Sequence, residues 1–194
     1  MNPINIIFGI VFFVVLSANF SKANLALKSK KTQIQIKPKS WLQKLPLNIA
    51  ALTILFQILG IFGVGQFELN YYNITSLQLI LILPYIFFSW LQITIITEMG
   101  DFYSSDVILY RNQNLNREGI YRFIRHPQYL FQLLTNILAG LILLNVFVLI
   151  TSLFLELPLL IMRAKLEDKI ILQKFGNEAV EYQKTSSFLI PTFK

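Results

Sequence analysis

Four long apolar runs set the pattern of the chain, with lysine and arginine gathered in the first and third connections and the tail. Ile4–Phe20, Leu47–Phe67 and Leu77–Thr97 each have the length that crosses a hydrocarbon core of ~30 Å as one helix. The fourth run, Tyr129–Met162, would form a helix of roughly 50 Å at about 1.5 Å per residue, too long for a single span. It is predicted to fold into a tight helical hairpin turning near Asn145. Beyond it, "MRAKLEDKIILQKFGNEAVEY" puts Leu166, Ile170, Ile171 and Phe175 on one helical stripe, with Gly176 as a stop. The pattern predicts an all-α integral membrane protein of five transmembrane helices, the last two a hairpin, followed by a cytoplasmic amphipathic C-terminal helix. Residues 1–97 form a region of three helices with a lysine-rich loop, and residues 98–194 hold the segments that can carry chemistry.

Composition narrows the chemistry. The 194 residues are 55% hydrophobic with a mean hydropathy of +0.57, too apolar for a soluble domain of this size. No cysteine is present and there is one histidine. Disulfides, cysteine nucleophiles and multi-histidine metal sites are thereby excluded, and no metal is expected. No G-x-S-x-G motif occurs. "GVG" at Gly63 to Gly65 ends a membrane helix and lacks the βαβ context of a dinucleotide fingerprint.

The net charge of +7 is resolved by its placement. Lys22, Lys28, Lys30, Lys31, Lys37, Lys39 and Lys44 fill the first connection; Arg111, Arg117, Arg122 and Arg125 lie in the third; the rest run from Arg163 to Lys194. With five spans, all 17 cations fall on one side, which the positive-inside rule makes cytoplasmic, leaving the N-terminus and the Glu68 loop outside. Contact with membrane lipids accounts for the charge, and no nucleic acid partner is required. The first run has no basic residue before it and lysines after it, so it reads as a retained helix rather than a signal peptide. Trp41, Tyr71, Tyr72, Tyr103 and Tyr110 read as interface anchors. The pattern fits a bacterial inner membrane or the endoplasmic reticulum equally.

The candidate chemistry sits where the third connection meets the membrane. "GIYRFIRHPQYL", residues 119 to 130, holds the single histidine. Pro127 restricts His126 to extended geometry and suits a helix start, so His126 marks the point of membrane entry, next to free backbone amides. Arg163 and Glu167 are four apart and share a helix face; on their own they read as a surface salt bridge. Glu156 lies inside the last apolar run, an expensive place for a carboxylate. It reads either as a lining residue of a substrate tunnel or as a glutamic acid bonded across the hairpin to Asn136 or Gln132.

"GIYRFIRHPQY", a helical hairpin, "MRAKLEDKIILQKFGNEAVEY" and Pro191, in that order, resemble the membrane-embedded isoprenylcysteine carboxyl methyltransferase family, which is related to the phospholipid N-methyltransferases. The upstream "MGDFYSS" also resembles that family's Gly, aromatic, Ser segment. The resemblance implies a cytoplasmic connection and tail that close over S-adenosylmethionine while a lipid or lipidated acceptor, small molecule or protein, enters from the bilayer. By that pattern Gly119, Ile120, Tyr121, Arg125, His126, Pro127, Tyr129, Glu167 and Asp168 bind the cofactor, and Arg163 and Glu167 serve catalysis. The chain departs from the family in having Asp168 where a second glutamate is frequent, and Leu130 and Phe131 where a glycine is frequent. Carboxyl O-methylation of a prenylcysteine-like acceptor is the expected reaction. Ethanolamine phospholipid N-methylation, or a non-catalytic lipid-binding role, are the alternatives.

Overall fold

A computed structural model describes residues 2–28, 33–68 and 74–191. Lys30, Lys31, Tyr71, Tyr72 and Lys194 lie outside the described residues. The elements are α1 (Pro3–Lys28), β1 (Ile34–Ile36), α2 (Leu45–Ile61), α3 (Ile74–Met99), β2 (Leu109–Tyr110), α4 (Pro127–Ile142), α5 (Val146–Ile150), α6 (Leu157–Phe175) and α7 (Asn177–Thr185). A π-helical turn, Thr151–Glu156, joins α5 to α6 without a break. Among the described residues four stretches are long and apolar enough to cross a membrane: Pro3–Ala26, Trp41–Ile61, Ile74–Phe102 and Val146–Phe175. The helix α4 has 16 residues and is about 24 Å long, shorter than a full hydrocarbon core.

The core forms where α1 to α4 meet. Phe8 and Phe12 of α1, Ile61 of α2, Ile82 and Tyr85 of α3, and Ala139 and Ile142 of α4 bury one another there. Phe8 meets Tyr85 edge-on with ring centroids 4.9 Å apart. Apolar residues on the outer helix faces, such as Ile10, Leu83 and Phe154, stay exposed, as lipid-facing side chains are.

The hairpin turns at the expected place. Asn145 accepts a hydrogen bond from the Val148 amide (3.0 Å) and so caps α5, while its Nδ2 donates to the Val64 carbonyl (2.6 Å). The backbone of Leu144 enters the left-handed region at φ +48°, which closes the turn. Gly65, at φ +78°, lies against Phe147, and a Cβ there would run into that ring. At this end of the bundle the chain after α2 pairs with the hairpin turn: Phe67 N donates to Leu144 O at 2.9 Å and Val146 N to Gly65 O at 3.0 Å. Asn5 binds the carbonyls of Gly60 and Ile61, which brings the start of α1 to the same end.

The first connection, the third connection and the tail meet at the opposite end. β1 pairs antiparallel with β2, Lys37 bridges Asp106 at 2.6 Å, and the Gln43 amide bonds both backbone groups of Val107. The ammonium of Lys174 binds the carbonyls of Tyr110, Arg111 and Gln113. The stripe of Leu166, Ile170, Ile171 and Phe175 is carried on the last turns of α6 and packs on Val107 and Leu109. Gly176, at φ +53°, ends α6 and admits α7. Tyr103 and Tyr110 are buried in this assembly and are not interface anchors, whereas Trp41 is exposed. Local sequence cannot separate an aromatic at a membrane boundary from one under a folded connection.

Candidate active site

His126 is the N-cap of α4, followed by Pro127 at the first helical position, and its side chain is buried. Neighbouring carboxylates on α6 face its two ring nitrogens: Nδ1 lies 3.3 Å from Glu167 Oε2 and Nε2 lies 2.9 Å from Asp168 Oδ1. A neutral imidazole has one N–H and would turn a lone pair toward one carboxylate. The imidazolium donates to both. Burial pulls the imidazole pKa down, but the hydrogen bonds and charges of Asp168 and Glu167 outweigh it, so His126 titrates above its ordinary value.

Arg125 extends the cluster into the tail. Its Nε donates to Asp168 Oδ2 at 3.3 Å, and its Nη1 donates to the carbonyls of Ser186 (2.6 Å) and Gln183 (3.1 Å). Arg125 N and Ser187 N also form a two-bond parallel bridge, to Ser187 O and Phe123 O. Phe188 meets the His126 ring edge-on at 5.3 Å. The tail thus straps across the start of α4, and Asp168 is the carboxylate that both Arg125 and His126 share.

Arg163 is buried, at 4% exposed, and makes no direct salt bridge to Glu167. The surface pair expected from their spacing is replaced by a relay: Arg163 Nε donates to the Tyr129 hydroxyl at 2.9 Å, and that hydroxyl donates to Glu167 Oε1. Arg163 Nη2 donates to the Ser105 carbonyl. Its Nη1 has no partner among the described residues. Tyr129 stacks on His126, with centroids 6.0 Å apart and planes 15° apart, so the two halves of the site share one aromatic spacer.

These groups open on a cavity of about 680 Å³. Tyr121, Arg125, His126, Pro127, Tyr129, Arg163 and Glu167 line it. Gly119, Ile120 and Asp168 do not: Gly119 starts a short 3₁₀ turn at φ +57°, Ile120 O accepts from Phe123 N, and Asp168 supports His126 and Arg125 from behind. Phe131 points elsewhere and stacks on Phe88 of α3 at 5.8 Å. The cavity wall also uses Tyr103 and Ser105 of the "MGDFYSS" segment, together with Glu98 and residues 113–118, which the sequence did not single out for a site. The polar run "QNLNRE" was the available signal. One side of the cavity is apolar, built by Pro46, Leu47 and Ala50 of α2 with Leu160 and Ile171 of α6.

Glu156 does not line this cavity. Fully buried at the end of the π turn, it accepts from Asn136 Nδ2 (2.7 Å) and Gln132 Nε2 (3.3 Å) of α4. Gln57 of α2 completes the network by donating to Asn136 Oδ1 at 2.9 Å. Gln132 itself reaches the cavity wall. Among the described residues no cluster of three or more metal-ligating side chains occurs.

The fold and cavity define a membrane-embedded helical protein with a polar site at one end of its bundle. A solved structure with a similar fold is that of the eukaryotic intramembrane Ras methyltransferase, isoprenylcysteine carboxyl methyltransferase, without a monobody. It is 20% identical, with a TM-score of 0.58 over 75% of this chain and 52% of that one. The present chain therefore spans about half the length of that relative. No curated protein matches it in sequence. The model of the isoprenylcysteine carboxyl methyltransferase (ICMT) family matches residues 79–173, a stretch that contains His126, Tyr129, Arg163, Glu167 and Asp168. Over that stretch, just under half of its length, the chain matches the isoprenylcysteine carboxyl methyltransferase family.

The geometry predicts two outcomes. Because the folded pKa of His126 lies above its unfolded value of ~6.5, its contribution to stability is complete below that value and is lost as pH rises through the folded pKa. Thermal unfolding in detergent from pH 6 upward should show a falling midpoint in the wild type and a flatter profile in His126→Gln; parallel profiles would contradict the imidazolium assignment. Replacing Glu156 by Gln keeps an acceptor for Asn136, whereas Leu removes the acceptor of two part-buried amide donors, at up to about 1–3 kcal/mol each. Glu156→Gln should unfold near the wild-type temperature and Glu156→Leu clearly below it. Loss of ligand binding in folded Glu156→Gln would show that Glu156 acts on the cavity.

Proposed function

We propose that this protein is an S-adenosylmethionine-dependent methyltransferase that acts on a lipid or lipidated acceptor, by carboxyl O-methylation of a prenylcysteine-like group, at the cytoplasmic membrane face. The observation that carries the reading is Arg163: a guanidinium fixed on two sides by Tyr129 and Ser105, with Nη1 free of protein partners among the described residues, at a cavity that has one apolar wall. A fixed guanidinium suits a carboxylate, and the apolar wall suits its lipid.

The residues present fit the cofactor. A cavity of about 680 Å³ accommodates a molecule of that size beside the head of an acceptor, and its lining supplies both charge types, with Glu98 and Glu167 for a cation and Arg117 and Arg125 for a carboxylate. Tyr121, Pro127, Tyr129 and Glu167 are the residues that would hold it. Bound S-adenosylmethionine supplies a methyl group on a cationic sulfur, ready for in-line displacement. The chain's own part is positioning and exclusion of water. Arg163 orients the acceptor carboxylate, Glu167 adds negative charge on the cofactor side, and Tyr129 holds the two apart by bonding both. Cancellation of opposite charges in a dry cavity lowers the barrier to a carboxylate nucleophile.

An ammonium acceptor would first have to lose a proton, and the site offers it a poor base. Both His126 nitrogens face carboxylates, and Glu167 already accepts from Tyr129 and His126. This favours O- over N-methylation. The cytoplasmic placement rests on the lysine and arginine content of the three segments that converge on the site, and the fifth span rests on α4, which joins the two ends of the bundle.

Titration calorimetry of S-adenosylhomocysteine on the detergent-purified protein tests the reading. Wild type should bind, and folded His126→Ala and Glu167→Ala should each bind at least tenfold more weakly. Absence of binding to folded wild type would contradict it.

A further inference from the structure

The first connection encloses a second cleft, about 720 Å³, at the same end of the molecule as the site. Lys37, Lys39 and Lys44 bring three positive charges to it, against the single carboxylate of Asp106. That carboxylate is already paired with Lys37 at 2.6 Å. Lys39 and Lys44 have no partner among the described residues and are exposed. Ser40 and Asn48 add polar groups, and Trp41, 55% exposed, stands with Leu45 beside them.

The position of the cleft matters as much as its charge. Trp41–Ile61 is one of the stretches able to cross the membrane, so the cleft lies where that stretch begins, at headgroup level. Below it, Leu45, which lines the cleft, and Leu55 of α2 present apolar side chains outward. Two unpaired ammonium groups over an exposed apolar helix face complement a phosphate carried on acyl chains.

We propose that this cleft binds the headgroup phosphate of an anionic phospholipid, with Lys39 and Lys44 as its cationic contacts, Trp41 at its glycerol level and the acyl chains along α2. The site is separate from the cavity described above. Asp106 is the partition between them, lining both, and its bond to Lys37 keeps that lysine from the phosphate. A free phosphate would satisfy the lysines but gains nothing from Trp41 and Leu45. The inference does not depend on the reaction the cavity performs.

The test is native mass spectrometry of the full chain released from mixed phosphatidylcholine and phosphatidylglycerol micelles, scoring which lipid stays bound. Wild type should retain phosphatidylglycerol, and Lys39→Gln/Lys44→Gln should weaken that retention roughly 30-fold, at about a factor of five per lysine. The charge-matched control Lys165→Gln/Lys169→Gln, on exposed positions of α6, should behave as wild type. Equal loss in both double variants would reduce the effect to net charge and overturn the proposal. Equal retention of both lipids by wild type would also overturn it. A third arm adds inorganic phosphate: displacement of the lipid at millimolar phosphate would assign the cleft to the free anion instead.

Discussion

A buried imidazole with a carboxylate against each ring nitrogen is fully satisfied only as the cation, and it then holds both carboxylates in place. In this protein the imidazole belongs to the residue that starts α4, the carboxylates to adjacent positions on α6, and one of them also binds Arg125 and through it the tail. Three segments far apart in sequence are joined by one ionic cluster. The cavity depends on that junction. Without it Glu167 loses its orientation, and the relay through Tyr129 to Arg163 loses its anchor. His126 is buried and its partners Asp168 and Glu167 are partly buried, so the imidazolium needs its carboxylates, since a buried charge without its partner is strongly destabilising.

A second polar network lies deeper, inside the bundle. Gln57, Asn136, Glu156 and Gln132 link α2, α4 and the end of the hairpin by hydrogen bonds that hydrocarbon would otherwise deny them. The π turn at Thr151–Glu156 ends on Glu156, and Pro158 comes two residues later. Proline offers no N–H to the carbonyl four residues back, so a widened turn before it is the physically expected response. The network fixes the hairpin against α2, and Gln132 carries its upper end to the cavity wall.

The apolar helices were legible because length is a hard constraint. An apolar run too long for one crossing must turn, and Asn145 was the residue able to cap the returning helix. His126 was legible as a boundary because Pro127 suits the first helical position, although its own backbone, at φ −122° and ψ 56°, is not extended as expected; Glu156 was legible as needing a partner because hydrocarbon supplies none. Pairing over long separations was not legible. The spacing of Arg163 and Glu167 suggests a helix-surface bridge, yet Ser105, 58 positions away in sequence, and Tyr129 of α4 take the guanidinium instead. Tyr103 and Tyr110 differ from expectation for the same reason: the folding of the first and third connections over each other buries them, and no local periodicity records that event. Gly119 and Ile120, conspicuous in the motif, shape the turn before His126 and do not reach the cavity.

Under the proposed function, Arg163 presents a lipid-borne carboxylate for methylation. The most direct measurement is transfer of a radiolabelled methyl group from S-adenosylmethionine by the purified protein, offered a farnesylcysteine analogue and an ethanolamine phospholipid in parallel. The expected result is a base-labile methyl ester on the prenylcysteine carboxyl, lost when Arg163 is replaced by Ala in folded protein. Base-stable methylation of the ethanolamine nitrogen, with the prenylcysteine analogue untouched, would contradict it.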